Sequence, residues 1–411
     1  GPVSSYHSNR NIFSMHSLVL GLLSSWGLLV SQAVEVFSFN EAGVPCIRIP
    51  SIVRLGGAKG QTLLAVAECG IFGRVGDDCV PSGYVPPKPE PLTPIVPLCS
   101  KTSNDGGQTW STLRNVTTEF VHSQNPTMVW DEVQNIAVMY FNRYFYPTGS
   151  SAHGHELQLW HMKTADGLTW SMPLRIDSML ASLSPPRNGT VPGPGTAVQL
   201  RTGKHRGRIL LPIYLPNCNN GTSQDCAAAV YTDDGGNTWQ SSAVPASGQG
   251  GHRGWYPYMS ESVVAEDLQG NVFLNMRNGR NVPCACRGVA VSRDGGATFG
   301  PLTFDSALLD PQDIEGCQAS LISFNAGASF AFSNPHSSSS RQDMTVLVSD
   351  ARSRATNLTW TVKDSVAPGQ GAAYSCLVDN TIHGLGLLYE AAKAGCAGHA
   401  CTILYKALPS T

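Results

Sequence analysis

Ser103-Asn104-Asp105-Gly106-Gly107-Gln108-Thr109-Trp110 is the first of four copies of one pattern: a hydroxyl residue, an Asp, one or two Gly, a Thr and an aromatic. The others are Thr164-Ala165-Asp166-Gly167-Leu168-Thr169-Trp170, Thr232-Asp233-Asp234-Gly235-Gly236-Asn237-Thr238-Trp239 and Ser292-Arg293-Asp294-Gly295-Gly296-Ala297-Thr298-Phe299. Recurrence at about 60 to 70 residues means that one supersecondary unit is built several times, and such arrays close into propellers or stack into solenoids. Each copy reads as a hairpin corner. Asp-Gly and Gly-Gly supply the positive φ of tight turns between twisted antiparallel strands, and the Asp carboxylate accepts hydrogen bonds from the turn's own N–H groups. The Thr and Trp then begin the next strand with the indole under the turn, so these Asp residues serve the fold and not chemistry. The second copy is one residue shorter and predicts a different turn. A degenerate fifth copy runs from Ser349-Asp350 to Thr359-Trp360.

The pattern resembles the Asp box of the sialidases, which sits in the outer hairpin of successive propeller blades. The resemblance implies an all-β, six-bladed β-propeller, with residues 34–411 forming a single catalytic domain.

Composition agrees. A chain of 411 residues with 42% hydrophobic content can bury a large core, and 42 Gly and 27 Pro suit many short strands joined by turns. Strand-like runs stand at Leu63–Ala67, Ile136–Phe141, Ile209–Tyr214, Val272–Met276, Met344–Val348 and Leu385–Tyr389. A formal net charge of −2, without a basic stripe, gives no electrostatic basis for nucleic-acid binding. The short apolar segment Ser17–Val30, closed by Ser31-Gln32-Ala33, reads as a signal peptide, with Gly1-Pro2 a cloning remnant, and residues 1–33 are therefore set apart from the domain. Twelve cysteines and N-x-Ser/Thr sequons at Asn115, Asn188, Asn220 and Asn357 predict a secretory, oxidising compartment and a secreted or lysosomal glycoprotein without stable membrane insertion. Cys218 with Cys226, Cys396 with Cys401 and Cys69 with Cys79 are candidate disulfides. Cys284-Ala285-Cys286 lacks a second pair at zinc spacing, so no metal is expected.

Further segments resemble the sialidase active site in the family's order, from about Arg48 to Glu390. Cys46-Ile47-Arg48-Ile49-Pro50 is similar to the (F/Y)RIP motif, with Ile47 in place of the aromatic. Arg277, in Leu274-Asn275-Met276-Arg277-Asn278, and Arg341, after Phe332-Ser333-Asn334-Pro335, match the second and third arginines that hold the substrate carboxylate. A planar, always charged guanidinium suits this task because it binds a carboxylate as a bidentate fork. Three such cations repel one another, and Glu390 matches the family's late Glu that pairs with the first Arg. Tyr374, in Gly371-Ala372-Ala373-Tyr374-Ser375-Cys376-Leu377, matches the nucleophile and Glu261, in Ser260-Glu261-Ser262-Val263-Val264, its base; Glu266 is a structural runner-up. A neutral phenol suits a substrate whose anomeric carbon bears a carboxylate, since that charge repels an anionic Asp or Glu.

The loop Gly73-Arg74-Val75-Gly76-Asp77-Asp78-Cys79 offers the general acid/base: Asp77, with Asp78 as the alternative and a substrate-binding neighbour. The family's Arg two residues after Glu68 is replaced by Gly70, and Arg74 is the candidate to stand in for it. Asn125, in Asn125-Pro126-Thr127, matches a polar sugar-contacting position, and Gly193-Pro194-Gly195 with Gln199 resembles another rim segment; Pro86–Pro97 reads as a stiff extended insertion. The resemblance implies a cofactor-free retaining exo-α-sialidase acting on sialylated glycoproteins, glycolipids and oligosaccharides. A trans-sialidase, with Tyr144, Phe145 and Tyr146 as acceptor-flanking aromatics, an inactive sialic-acid-binding propeller and a protein-interaction scaffold are the alternatives.

Overall fold

The computed structural model describes Gly1 and residues 32–44, 46–70, 96–118, 122–145, 156–177, 189–216, 218, 225–244, 256–280, 282–312, 315–350, 358–380, 382, 384–393 and 401–408. The chain divides into residues 1–31 and 32–411, and every element below belongs to the second unit. The leader segment 17–30, the loop holding Arg74, Asp77 and Asp78, most of the Pro-rich insertion and the sequons at 188, 220 and 357 lie outside the described residues.

The described chain is all-β, with short 3-10 turns and no α-helix. Five sheets follow one another along the sequence in a propeller-like arrangement. The first contains Cys46–Arg54, Leu63–Gly70, Leu98–Ser103 and Arg114–Asn115 as an antiparallel meander. The second is built on Ser123–Asp131, Ile136–Phe145 and Glu156–Thr164, and the third on Ile209–Leu215 and Cys226–Thr232. The fourth runs through Met259–Glu266, Val272–Asn278, Cys286–Ser292 and Thr303–Leu309. The last has seven strands, because the long strand Trp360–Asn380 pairs with Gln342–Asp350 over its first half and with Gly384–Ala391 over its second. Its outer strand is Val34–Phe37, so the start of the described chain closes onto the C-terminal strand Thr402–Leu408.

The predicted strands all form, but their interior members do not alternate. All eight residues of Leu63–Gly70 and all seven of Cys226–Thr232 are buried. Each sheet is covered on both faces by its neighbours, and small or β-branched residues let the sheets approach. The core is therefore a ring of inter-sheet clusters. Val53, Leu64 and Leu98 meet Met128, Met139 and Phe141; Val138 and Leu159 meet Leu211 and Val230; Ala229 meets Leu274 and Met276; Phe273 meets Phe330 and Phe332. Within the seven-stranded sheet Val346 packs on Leu387, and Leu388 and Tyr405 return to Ile52 and Leu63 of the first sheet.

The four repeats form related turns. Asp234 Oδ1 accepts the N–H groups of Asn237 (3.0 Å) and Thr238 (2.9 Å), Oδ2 accepts the Thr238 hydroxyl (2.6 Å), and Trp239 Nε1 donates to the Gly236 carbonyl (3.2 Å). Asp105 and Asp294 bind their own Thr residues in the same way. In the shortened copy Thr164 Oγ1 takes the N–H three residues on, at Gly167, where Thr232 Oγ1 takes the one four residues on, at Gly236. The fifth copy lies partly outside the described residues, and its Trp360 donates to Asp305.

Cys218–Cys226 forms as expected, and Cys284–Cys286 is a disulfide. Cys69 bonds to Cys99 and not to Cys79: the adjacent antiparallel strand carries Cys99 to a Cα separation of 5.9 Å. Cys396 lies outside the described residues. No helix among them is long and apolar enough to cross a membrane.

Candidate active site

Four inner strands are irregular at one level, and each irregularity carries a residue singled out from the sequence. The ladder shifts register between Arg48 and Ser51, between Gln124 and Thr127, between Met259 and Ser262, and between Ala372 and Ser375. An extra residue bends a strand and re-aims its side chains, which is why bulges gather at functional sites. Ile49 and Asn125 both sit at φ 54, a left-handed conformation that costs an ordinary side chain energy and is retained where surrounding bonds enforce it. Here Ile49 N–H donates to Glu390 Oε1 (2.7 Å) and Asn125 N–H to Glu68 Oε1 (2.7 Å).

The bulges bring Tyr374, Glu261, Arg48, Arg277, Arg341 and Glu390 together. The Tyr374 hydroxyl donates to Glu261 Oε1 at 2.5 Å. Arg277 Nη1 donates to Glu261 Oε2 (2.7 Å) and to the Tyr374 oxygen (3.3 Å). The Arg48 and Arg341 guanidinium carbons stand 5.4 and 5.6 Å from the Tyr374 ring centroid. Tyr374 is thus the point the three cations share. Arg48 is held by Glu390 through Nε (3.3 Å) and Nη2 (3.2 Å), and the same carboxylate accepts the Tyr374 N–H (3.1 Å). Glu390 is fully buried and joins the strand bearing Arg48 to the strand bearing Tyr374.

The electrostatics follow from burial and proximity. Burial raises the Tyr374 phenol well above its ordinary pKa, the Glu261 carboxylate raises it further, and Arg277 and Arg341 oppose both. Burial is the largest single influence on the Arg277 cation and acts against it, but Glu261, Tyr374 and Cys317 together outweigh it and hold that pKa above the ordinary value.

Asn125 lies at the same level and its Nδ2 donates to the Tyr214 hydroxyl (3.1 Å). Glu266 is elsewhere, accepting the Arg201 and Thr202 N–H groups and the Thr202 hydroxyl. Gly193, Pro194 and Gly195 pack through their carbonyls against Thr127, Gln318 and Ser51. Gln199 is remote from the site; it binds Asp131 and the Glu132 N–H at the far end of the inner strands. Tyr144 stacks on His122 (4.3 Å) and Phe145 is exposed, while Tyr146 lies outside the described residues. Among the described residues no His, Cys, Asp and Glu group could hold a metal ion.

The sequence reading passed over several residues around the site. Glu68 lies opposite Arg48, wholly buried, and burial pushes its carboxyl up to about 8 against the Asn125 N–H and the Arg48 charge. Gln318 fixes the Tyr374 neighbour Ser375 by accepting its N–H and donating to its carbonyl. The free thiol of Cys317 packs against Tyr374. A cavity of about 320 Å³ opens beside Glu261 and Arg277, walled further by Tyr214, Tyr258, Arg280 and Glu315. A larger one, about 580 Å³, lies at the opposite ends of the same inner strands, around Arg54, Trp130 and Glu266, away from Tyr374.

Residues 95–383 match the BNR repeat-like domain family. The chain belongs to that family. Among its relatives, this BNR repeat chain is 34% identical over 231 residues to a sialidase of Micromonospora viridifaciens, covering 55% of this chain and 32% of the relative. It is 27% identical over 240 residues to an anhydrosialidase of Macrobdella decora, covering 55% and 28%. The matches therefore span about a third of those relatives' length. A Hadza microbial sialidase, Hz136, has a similar fold, with a TM-score of 0.65 at 20% identity over 92% of this chain and 68% of that one.

Proposed function

We propose that the protein is a retaining exo-α-sialidase that removes terminal sialic acids from glycoproteins, glycolipids and oligosaccharides. The observation that carries this reading is the Tyr374–Glu261 hydrogen bond at 2.5 Å, set beneath three arginines. A buried phenol with a raised pKa does not ionise alone at neutral pH. It needs a base in contact with it, and Glu261 is in contact. As Tyr374 attacks the anomeric carbon, its proton passes to Glu261, and Arg277 is placed to stabilise the carboxylate before the transfer and the phenolic oxygen during it. Arg48, Arg277 and Arg341 hold the substrate carboxylate, with Glu390 balancing Arg48. Asp77, or Asp78, from the loop outside the described residues, protonates the departing glycosidic oxygen and then activates water to release the sugar. Asn125 contacts the sugar ring.

The fold reading belongs with this function. The seven-stranded sheet is two blades sharing the strand Trp360–Asn380, which makes six in all, and the six clusters from the first sheet back to itself support that count. The apolar leader, the sequons and the disulfides support a secreted or lysosomal glycoprotein.

The test is cleavage of a fluorogenic sialoside by the purified protein and by Tyr374→Phe, with and without lactose as acceptor. We expect free sialic acid as product and a fall in kcat of several orders of magnitude for Tyr374→Phe with the fold intact. Near-normal turnover in folded Tyr374→Phe removes the nucleophile assignment. Sialyllactose formation moves the reading to a trans-sialidase, and sialoside binding without cleavage moves it to a lectin-like propeller.

A further inference from the structure

Arg287 and Asp310 are both fully buried and ion-paired at 3.1 Å, yet neither touches Tyr374, Glu261 or the cavity beside them. Removing two charges from water costs more than their attraction alone returns unless further hydrogen bonds satisfy them. The bonds that do so, at every polar atom but Arg287 Nη2, run to two short segments. Asp310 Oδ1 accepts the Cys317 N–H (2.8 Å), and Arg287 Nη1 donates to the Cys317 carbonyl (2.5 Å). Asp310 Oδ2 accepts the N–H of Asn278, the residue after Arg277 (3.0 Å), and Arg287 Nε donates to Asn275, two before it (2.8 Å). The pair therefore pins the Cys317 backbone on one side and, on the other, the Asn278 N–H and the Asn275 side chain that flank Arg277.

The two residues before Cys317 face the arginines. Glu315 and Gly316 have φ of 51 and 82. Arg277 Nε donates to the Glu315 carbonyl (2.9 Å), and Arg341 Nη2 to the Gly316 carbonyl (3.2 Å). A side chain at Gly316 would be strained by the positive φ and tightly placed: a Cβ there would lie 3.0 Å from Arg277 Cγ and 3.1 Å from Asp310 Oδ2. Glu315-Gly316-Cys317 is thus a strap of backbone carbonyls. A guanidinium held at Nε or at one Nη keeps its remaining N–H groups directed elsewhere, toward Tyr374 in the case of Arg277.

We infer that the buried Arg287–Asp310 pair is a positioning device that, through the strap Glu315-Gly316-Cys317, sets the orientation of Arg277 and Arg341 for carboxylate recognition. The inference rests on the reading of those arginines as carboxylate ligands. It assigns Arg287, Asp310 and Gly316 a positioning role, since none of them lines the cavity beside Glu261 and Arg277.

The test uses wild type, Asp310→Asn and Gly316→Ala, the last because its perturbation is local should a buried charge change prevent folding. Two measurements are made on folded protein: hydrogen exchange of the Arg277 and Arg341 side-chain N–H groups by NMR without ligand, and kcat and KM on a sialoside. In wild type these N–H groups should be protected. In the variants exchange should quicken about ten-fold and KM should rise about ten-fold with a smaller change in kcat, the sign of weakened binding common to ground and transition states. Unprotected Arg277 Nε–H in wild type overturns the inference. So does a lowered Tm with exchange and KM unchanged, which is what a merely structural pair produces. If wild type cleaves no sialoside, the functional reading fails, and the exchange measurement alone still decides the strap.

Discussion

Glu68 has a carboxyl pushed up to about 8 by burial, against an ordinary value of 4.5. The native state therefore binds a proton there that the unfolded chain has released over most of this range. Its contribution to stability is fully present below about pH 4.5, declines as pH rises, and is lost once the pH passes about 8. Glu68→Gln keeps the acceptor for the Asn125 N–H and removes the titration. Unfolding free energies from urea titrations at pH 4 to 9 should fall by a few kcal/mol in wild type beyond what the variant shows; parallel curves would mean that Glu68 titrates alike in the native and unfolded states. Nothing in Leu63–Gly70 announces this residue. Its partner Asn125 is 57 positions away, and it becomes buried only when the second sheet packs on the first. Arg48, Arg277, Arg341, Glu261, Tyr374 and Glu390 were legible because each stands in a recognisable short segment. Arg287, Asp310 and Gln318 act through contacts that no local pattern records.

At the scale of elements, the turns and strand centres could be read directly, because Asp-Gly chemistry and apolar runs are local. The bulges could not: they are a relation between two strands. In two of the three full-length repeats the second glycine has a further role visible only in three dimensions, whereas Gly236 meets nothing nearer than His161 at 3.8 Å. A Cβ at Gly107 would meet the Tyr405 ring at 2.1 Å, and one at Gly296 would meet Leu210 Cδ2 at 2.0 Å, so each of these two turns lies directly on the preceding sheet. Gly296 also sits at φ 81. Gly296→Ala should accordingly destabilise more than Asp234→Ala, which removes turn hydrogen bonds at an exposed position and costs about 1 kcal/mol or less. Thermal melts give the order, and kcat/KM of both folded variants should stay at the wild-type value. A loss of activity without a loss of Tm would mean that the turns communicate with the site.

For the molecule as a whole, closure depends on a short strand at the start of the described chain. Val36 and Phe37 are buried, Glu35 accepts Lys393 Nζ and the Thr402 hydroxyl (both 2.7 Å), and the Phe37 carbonyl accepts the latter as well (2.9 Å). Deleting Val34–Phe37 should cost about 3 to 6 kcal/mol from two buried side chains alone and leave Thr402–Leu408 as an unpaired edge prone to self-association. Chemical denaturation and light scattering would report both effects. An unchanged midpoint would show that the inter-sheet clusters hold the ring without this strand. That the repeats build an array was inferable from their period, and that the array closes, from the resemblance of their pattern. Which strand completes it was not, because the pairing joins residues near opposite ends of the sequence.

Glu390 reaches Arg48 across 342 positions and grips the backbone of two strands of the candidate site, at Ile49 and Tyr374. The consequence is one of timing. A chain still leaving the ribosome carries Arg48 long before the counter-ion that orients it has been synthesised, and Tyr374 has no anchored amide until that same late residue arrives. The cluster around Tyr374 is thereby assembled only after residue 390 has been made, and a chain cut short before it carries Arg48 without its counter-ion.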